Sequence, residues 1–473
     1  MAIEQQPTIW MNVTTSANWQ RPPVGIIRVE RSLCAELQKL YEGRFKCCVW
    51  KDDFFVEYAS DSCVEHIAST HVNAQTEDSV TKGRELPLIF PLLPRRQALI
   101  AVGQGLLSLA PGRLRPYVSR LLYQLKSPLV WLVSINWFSR VKARFRRQTT
   151  CPVSPLKVQS QPDQTGLLFA PGDVLISVGL DWDHPFYKEF YFLRKEQQIR
   201  VVTCCYDLIP VLYPQYCVGA VAGLFTSYFY EIADGSDLVL CISRQSEKDL
   251  LEMLNRTGGA KPKTHVFPLG DNVPVAKTEE ISLAVKELCK ETFILFVSTI
   301  ERRKNHEVLY RAYHLLSQEG KRDELPKMLF VGMQGWGVGD LLKDIELDPL
   351  TRDLIVRLNH VTDAELRALY EAARFCVFPS LYEGWGLPVG EALSLGKPVL
   401  CSGRGSLPEV GGELVRYVDP WNPRAWADEI YRMANDGAWR SEWEQKAKAQ
   451  YHVRTWTEAA ISVQKAIQDN FQE

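Results

Sequence analysis

The sequence predicts an α/β protein built as two doubly wound, Rossmann-like lobes facing a central cleft, and three observations predict it. The 473 residues suit two or three domains at roughly 100–200 residues each. Short apolar runs ending in small or polar residues alternate with helical stretches, the rhythm of a parallel sheet wrapped by helices. That rhythm occurs twice, with a polar, proline-bearing stretch between its two occurrences.

Taken in order, DVLISVG at 173–179, IRVVTCCYD at 199–207 and DLVLCIS at 237–243 read as buried parallel strands, because their apolar residues run on rather than alternate. DNVPVAKTEE at 271–280 suits a linker. FILFVST at 293–299, KMLFVG at 327–332, FCVFPS at 375–380 and KPVLCS at 397–402 repeat the strand theme, with helical patterns over His306 to Gln318 and Asp363 to Ala373. From Ala447 onward the pattern is a mostly helical, amphipathic tail. The expected division is a first lobe over 1–275, interrupted around 60–165 by an insertion that fits the rhythm poorly, a second lobe over 276–446, and the tail over 447–473. Open parallel sheets take ligands beyond the carboxyl ends of their strands, so two such lobes predict a ligand held between them.

The net charge is −1, from 55 Lys and Arg against 56 Asp and Glu, and 46% of residues are hydrophobic. That composition excludes collagen-like, disulfide-framework and wholly disordered chains. The charge is nevertheless bipolar, because Leu86 to Pro162 holds twelve basic residues and no acid, leaving 43 basic against 56 acidic residues elsewhere. Within that segment, 113–147 sets apolar stretches such as PLVWLVSINWF (128–138) between basic flanks, the composition of helices that rest on anionic membranes. A basic helical subdomain packed on its own lobe fits the same residues equally well. No recognised nucleic-acid module accompanies the charge, so nucleic acid is not an expected partner. The stretch Gln97 to Gly112 is broken by Gly103, Gly105 and Pro111 and falls short of the ~20 apolar residues of a spanning helix. The opening MAIEQQPTIWMNVTT shows no basic region followed by an apolar one, so the expected location is cytoplasmic, at the inner face of the plasma membrane if the insertion binds lipid. The twelve cysteines have no zinc spacing and read as buried small residues of a reducing compartment, with no metal site.

Two strings carry chemistry. In FCVFPSLYEGWGLPVGEALSLGKP (375–398) a strand ends at Ser380, a loop with Gly384 and Gly386 follows, Pro388 sits near the first helical position, and Gly396 closes the helix. A glycine-containing strand–loop–helix offers backbone N–H groups and a positive helix end to an anion such as a diphosphate. Glu383, in the loop, and Glu391, read as lying in the first helical turn, can each accept hydrogen bonds from sugar hydroxyls. Taken singly each is an ordinary solvated or dipole-favoured carboxylate; the whole string reverses that reading. In FVSTIERRKNHEVLYRAY (296–313), Glu301, Arg302, Arg303, Lys304 and Asn305 follow a strand, on the ligand side of a parallel sheet. Arg and Lys there supply the donors and charge that a diphosphate requires, although the triplet alone would pass for a solvated turn.

Together these strings resemble the retaining nucleotide-sugar glycosyltransferases of the GT-B fold, family four, with their G-T-x-x-x-R-K-N turn and E-G-x-G-L-P-x-x-E-A motif. The likeness is strong over 293–420 and fragmentary before it, in Gly25-Ile26 with Arg28, YDLIP (206–210), SDLVLCISRQSEKDL (236–250) and PLG (268–270). It implies that the 1–275 lobe binds the acceptor and the 276–446 lobe the nucleotide-sugar. It implies further that Arg303 and Lys304 bind the donor diphosphate, that Glu391 holds the ribose hydroxyls, and that Glu383 contacts the transferred sugar beside backbone N–H groups of Gly384, Gly386 and Leu387. His360, Val361 and Thr362 resemble the segment lining the nucleobase, and Gly25 the loop glycine that lets backbone approach phosphates. Ser298 stands where the family has the Gly of G-T, and Tyr206 where many relatives have His, so a His-dependent role does not transfer.

Retention implies front-face attack with the leaving diphosphate helping to deprotonate the acceptor, and no obligatory metal or other cofactor. Asp207, after its strand, is the expected polar group near the reacting centre. Asp181, Asp183 and His184, in GLDWDH (179–184), are the candidate acceptor contacts. The YDLIPVLYP style resembles bacterial polysaccharide and O-antigen mannosyltransferases, so GDP-mannose is the first expectation for the donor and a glycan or lipid-linked glycan the expected acceptor. A UDP-hexose or GDP-deoxyhexose donor, a GT-B sugar-nucleotide epimerase, and an inactive scaffold subunit of a polysaccharide assembly are the alternatives. An inactive scaffold would be expected to lack one of Arg303, Lys304, Glu383 and Glu391, and all four are present.

Overall fold

A computed structural model describes residues 6–19, 25–58, 168–219, 221–273 and 281–471. The insertion expected around 60–165, with its basic segment 113–147, and most of the expected linker lie outside these residues.

The described chain forms two sheets. The first has seven strands in the order β3-β2-β1-β4-β5-β6-β7, namely Phe54–Tyr58, Phe45–Lys51, Ile9–Asn12, Val174–Ser177, Arg200–Cys205, Leu238–Cys241 and Lys263–Val266. All its pairings are parallel except the β2–β3 hairpin. The second has six strands in the order β10-β9-β8-β11-β12-β13, namely Ile355–Leu358, Lys327–Val331, Phe293–Val297, Phe375–Phe378, Val399–Cys401 and Arg416–Tyr417, all parallel. The α/β doubly wound architecture read from the sequence is therefore the one observed. Strands β1, β4, β6 and β11 are buried along their whole length, which is why β4, β6 and β11 read as continuous apolar runs.

Strand order reverses between β1 and β4 in the first sheet and between β8 and β11 in the second. At such a point neighbouring connections leave to opposite faces and open a crevice beyond the strand ends. The β8–β11 register, with Phe375 opposite Ile294 and Cys376 opposite Leu295, brings the exits of both motif-bearing strands together.

The helix over His306–Gln318 matches its expected span, and that over Asp363–Ala372 stops one residue short at Ala373. The Leu387–Ser394 helix ends before Gly396, whose φ of +68° favours glycine. Glu391 is its fifth residue and so lies in the second turn rather than the first. Asp271, expected to begin a polar linker, is 1% exposed and bound at both carboxylate oxygens: Oδ1 accepts from the Arg454 N–H at 3.0 Å, and the Arg454 guanidinium lies 3.2 Å from Oδ2. This anchors the elbow between the helices Gly437–Gln450 and Trp456–Phe471. The second of these returns to the first sheet's side and packs on the helix Ile26–Leu40. There the Thr457 hydroxyl donates to Glu36 at 2.8 Å, and Ser462 meets His265 of β7 at 3.0 Å. Among the described residues the cysteines are free thiols, and all but Cys217 and Cys289 are buried.

Candidate functional site

The turn after β8 is a 3-10 helix over Arg302–Lys304, and at about three residues per turn its three cations point in different directions. Arg302 is exposed, while Arg303 and Lys304 turn inward. Asn305 holds the turn in place: its φ is +61°, and its amide donates to the carbonyls of Pro379 at 3.1 Å and Pro420 at 2.8 Å. The Leu381 N–H donates to the Arg303 carbonyl at 2.8 Å, fastening this turn to the loop after β11.

Glu383 of that loop is the focus. Its Oε2 accepts from the Arg303 guanidinium at 2.7 Å and its Oε1 from the Lys304 ammonium at 2.6 Å. Arg303 also donates to Glu301 Oε1 and to the Tyr382 carbonyl, each at 2.7 Å. Burial works against the Glu383 charge, but Arg303 and Lys304 outweigh it and hold the carboxyl down at about 2. Burial also lowers the Lys304 ammonium below its ordinary value, and the neighbouring Arg303 charge adds to that. Burial disfavours the Arg303 charge as well, but Glu383, Glu301 and Asp207 more than restore it. The cluster is thus a charged network whose cations are answered by carboxylates of its own chain.

Asp207, at the exit of β5, joins from the other sheet. Its Oδ1 accepts from the Ile209 N–H at 3.0 Å, and burial raises its carboxyl while Arg303 opposes. A Cβ on Gly384 would stand 2.7 Å from the Tyr206 carbonyl and 2.8 Å from Asp207 Cβ, so only glycine permits this approach of the two sheets. Ser246 hydroxyl spans the same junction, donating to Tyr206 O at 2.7 Å and lying 3.3 Å from Gly384 O. Tyr382 donates to Asp249 at 2.5 Å, and Glu409 accepts the backbone N–H groups of Arg244 and Gln245 at 2.8 and 2.9 Å.

The remaining candidates fall on either side. Gly386, at φ +110°, turns the loop into the helix that begins at Leu387. Glu391 lies along that helix, where its Oε1 accepts from Arg28 at 2.8 Å and its Oε2 from the Tyr370 hydroxyl at 2.9 Å. Gly25, at φ +52°, precedes the helix carrying Arg28. Val361 adjoins Thr362, which with Glu365 forms a capping box. Ser298 lies 3.3 Å from the ring of the buried His306.

Asp181 departs from expectation. It is 1% exposed and accepts from Ser177 at 2.8 Å, so its carboxyl faces the interior of the first lobe rather than an acceptor. Asp183 is exposed and His184 half-buried against Phe186. Tyr206, standing where relatives carry His, is buried with its hydroxyl on the Val178 carbonyl. Sequence reasoning gave no role to Tyr370, Asp363, Asp249, Ser246 or Glu409. Each acts through a partner remote in sequence, and no local spacing marks such residues. Among the described residues no helix is long and apolar enough to cross a membrane, and no group of three or more His, Cys, Asp or Glu is gathered for a metal.

Two doubly wound sheets with a basic turn after β8 and a Glu-bearing glycine loop after β11 define a GT-B glycosyltransferase. Solved structures share this fold. Anabaena HepE in complex with UDP matches with a TM-score of 0.54 at 13% identity, over 98% of this chain and 100% of that one. Sucrose-phosphate synthase from Thermosynechococcus elongatus matches with a TM-score of 0.55 at 18% identity, over 99% and 100%. The family described as glycosyl transferases group 1 matches residues 278–450. The chain is 32% identical over 259 residues to the O-antigen chain mannosyltransferase B of Escherichia coli, covering 54% of this chain and 67% of that protein. It is 30% identical over 266 residues to the serotype-specific mannosyltransferase WbdA of Escherichia coli, covering 55% of this chain but only 32% of WbdA's length. The chain belongs to the group 1 glycosyltransferases.

Proposed function

We propose that this glycosyltransferase moves mannose from GDP-mannose, with retention of configuration, onto a hydroxyl of a glycan or lipid-linked glycan in the assembly of a bacterial O-antigen or related surface polysaccharide. The observation that carries the reading is Glu383, held ionised between Arg303 and Lys304 where strand order reverses. Two Escherichia coli relatives named as mannosyltransferases support the choice of sugar.

In this reading the first lobe, 1–275, receives the acceptor and the second, 276–446, the donor. Arg303 and Lys304 exchange Glu383 for the donor diphosphate, and Glu383 turns to hydroxyls of the sugar. The bond from the anomeric carbon to the phosphate oxygen breaks while the acceptor oxygen bonds to the same face, and the acceptor proton passes to the leaving diphosphate. Negative charge grows on that diphosphate in the transition state, so the two cations contribute most to the rate of transfer. Gly384, Gly386 and Leu387 lie along its backbone side, with Gly25 approaching from the first lobe. Glu391 takes the ribose, and Val361 and Ser298 border the nucleotide. Asp207 is the polar group nearest the reacting centre, with Asp183 and His184 on the acceptor side. Residues 113–147 bring the enzyme to an anionic membrane surface at the cytoplasmic face, where a lipid-linked acceptor would lie.

Heat unfolding with GDP, UDP or dTDP tests the donor, because a ligand bound to the native state stabilises it by RT ln(1 + [L]/Kd). The expected result is a rise in Tm with GDP alone. A rise with UDP alone would move the donor to a UDP-hexose. Transfer is then read by NMR of the glycosylated acceptor, whose new linkage should keep the donor's anomeric configuration. Conversion of the donor without any acceptor would replace the reading with an epimerase.

A further inference from the structure

We infer that Arg28 of the first lobe is a positioning residue for the donor's ribose, acting through Glu391 of the second. This rests on the reading that Glu391 receives the ribose hydroxyls. Arg28 sits in the first turn of the helix Ile26–Leu40, directly after Gly25. It reaches the other sheet's side with both guanidinium nitrogens: Nη1 lies 2.8 Å from Glu391 Oε1 and Nη2 lies 3.1 Å from Asp363 Oδ1. The three side chains are largely enclosed, at 13%, 5% and 26% exposure for Arg28, Glu391 and Asp363. A planar fork can serve two carboxylates at once, which a lysine's single ammonium cannot do with the same geometry.

The consequence for a ligand follows from counting acceptor sites. A carboxylate has about four lone-pair sites. Arg28 takes one on Oε1 and Tyr370 takes one on Oε2, which leaves one on each oxygen for a pair of neighbouring hydroxyls. Arg28 and Tyr370 fix the plane of the carboxylate, so the two remaining sites point in set directions. A vicinal diol such as the 2′ and 3′ hydroxyls of ribose has the spacing to meet them. Because Arg28 comes from the first lobe, the ribose site is complete only when the lobes are together, as the contacts between Gly384 and Asp207 also require.

The experiment is a cycle between protein and ligand, measured as Kd by calorimetry with the full chain. The wild-type protein and the Arg28→Met variant are each titrated with GDP and with 2′,3′-dideoxy-GDP, and with the UDP pair if GDP does not bind. The expected result is a loss of about tenfold in affinity for GDP in the variant, with affinity for the dideoxy ligand unchanged, because the lost interaction is already missing from it. Arg28→Lys keeps the charge and removes the fork, and is expected to show the same selective loss at about threefold. It guards against instability of the methionine variant. Equal losses for both ligands, or no loss, would overturn the role of Arg28. Failure of the wild-type protein to bind either nucleoside diphosphate would instead overturn the donor reading on which it rests.

Discussion

Glu383 in the second lobe and Glu30 in the first are both enclosed by protein, yet their surroundings drive them in opposite directions. Glu383 has two cations at 2.6 and 2.7 Å and is held down at about 2. Glu30 is 1% exposed, with Oε1 accepting the Ser16 N–H at 2.7 Å, and burial raises it to about 7 against weaker opposition from Ser16, Thr15 and Arg31. Asp181 nearby is raised well above its usual range by burial, with Glu30 adding to the rise. Neutral donors satisfy a carboxyl's hydrogen bonds without securing its charge; cations at bonding distance do both. The carboxylate held ionised by cations thus lies at the switch point of the second sheet, where a polyanionic donor is expected, while at the corresponding end of the first sheet burial shifts Glu30 and Asp181 toward the neutral form.

The strongest way to break this contrast is to remove a cation. Lys304→Ala is expected to lower kcat by about 10²–10³ with the fold retained, since Glu383 keeps Arg303, and steady-state transfer with parallel circular dichroism melts checks it. Gly384→Ala puts a methyl against Tyr206 O and Asp207 and should part the lobes locally, lowering kcat/KM by about tenfold, a cost typical of misplacing groups by fractions of an ångström. Acid unfolding separates the two carboxyls directly. The native state holds Glu383 below its ordinary 4.5, so its contribution is present above that pH and is lost as pH falls toward about 2. Glu383→Gln should lack that component of the acid limb in a pH series of melts. Glu30 has the opposite sign: its contribution is present below pH 4.5 and is lost as pH rises through about 7. Glu30→Gln should flatten the pH dependence of Tm across that window, a change of about 2–4 °C per kcal/mol for a lobe of this size.

Legibility in the sequence followed distance along the chain. The buried strands β4, β5, β6, β8, β9, β11 and β12 were readable because burial on both faces leaves an uninterrupted apolar run. The edge strands β3, β7, β10 and β13 carry polar residues or are only two residues long, and β1, though fully buried, is four residues whose partner Val174 lies far along the chain. The Arg303, Lys304 and Glu383 constellation was readable because its two halves sit at strand exits with glycine and proline punctuation. Asp181 misled because a position after a strand says which end of the sheet a residue occupies, not which way its side chain turns. The reach of Arg28 to Glu391 was illegible for a related reason: an arginine one turn into a helix has no local mark of a carboxylate 363 residues away.

The helix Trp456–Phe471 lies against Ile26–Leu40, so an element made after the second lobe covers a helix made before it. During synthesis the amino-terminal sheet must wait, with one face of that helix uncovered, while the whole second lobe emerges. The order of folding is therefore constrained by the order of translation: the first lobe gains this cover only once residues beyond the Asp271–Arg454 elbow have arrived. A ribosome stalled before residue 456 would display the Ile26–Leu40 helix with that face still uncovered.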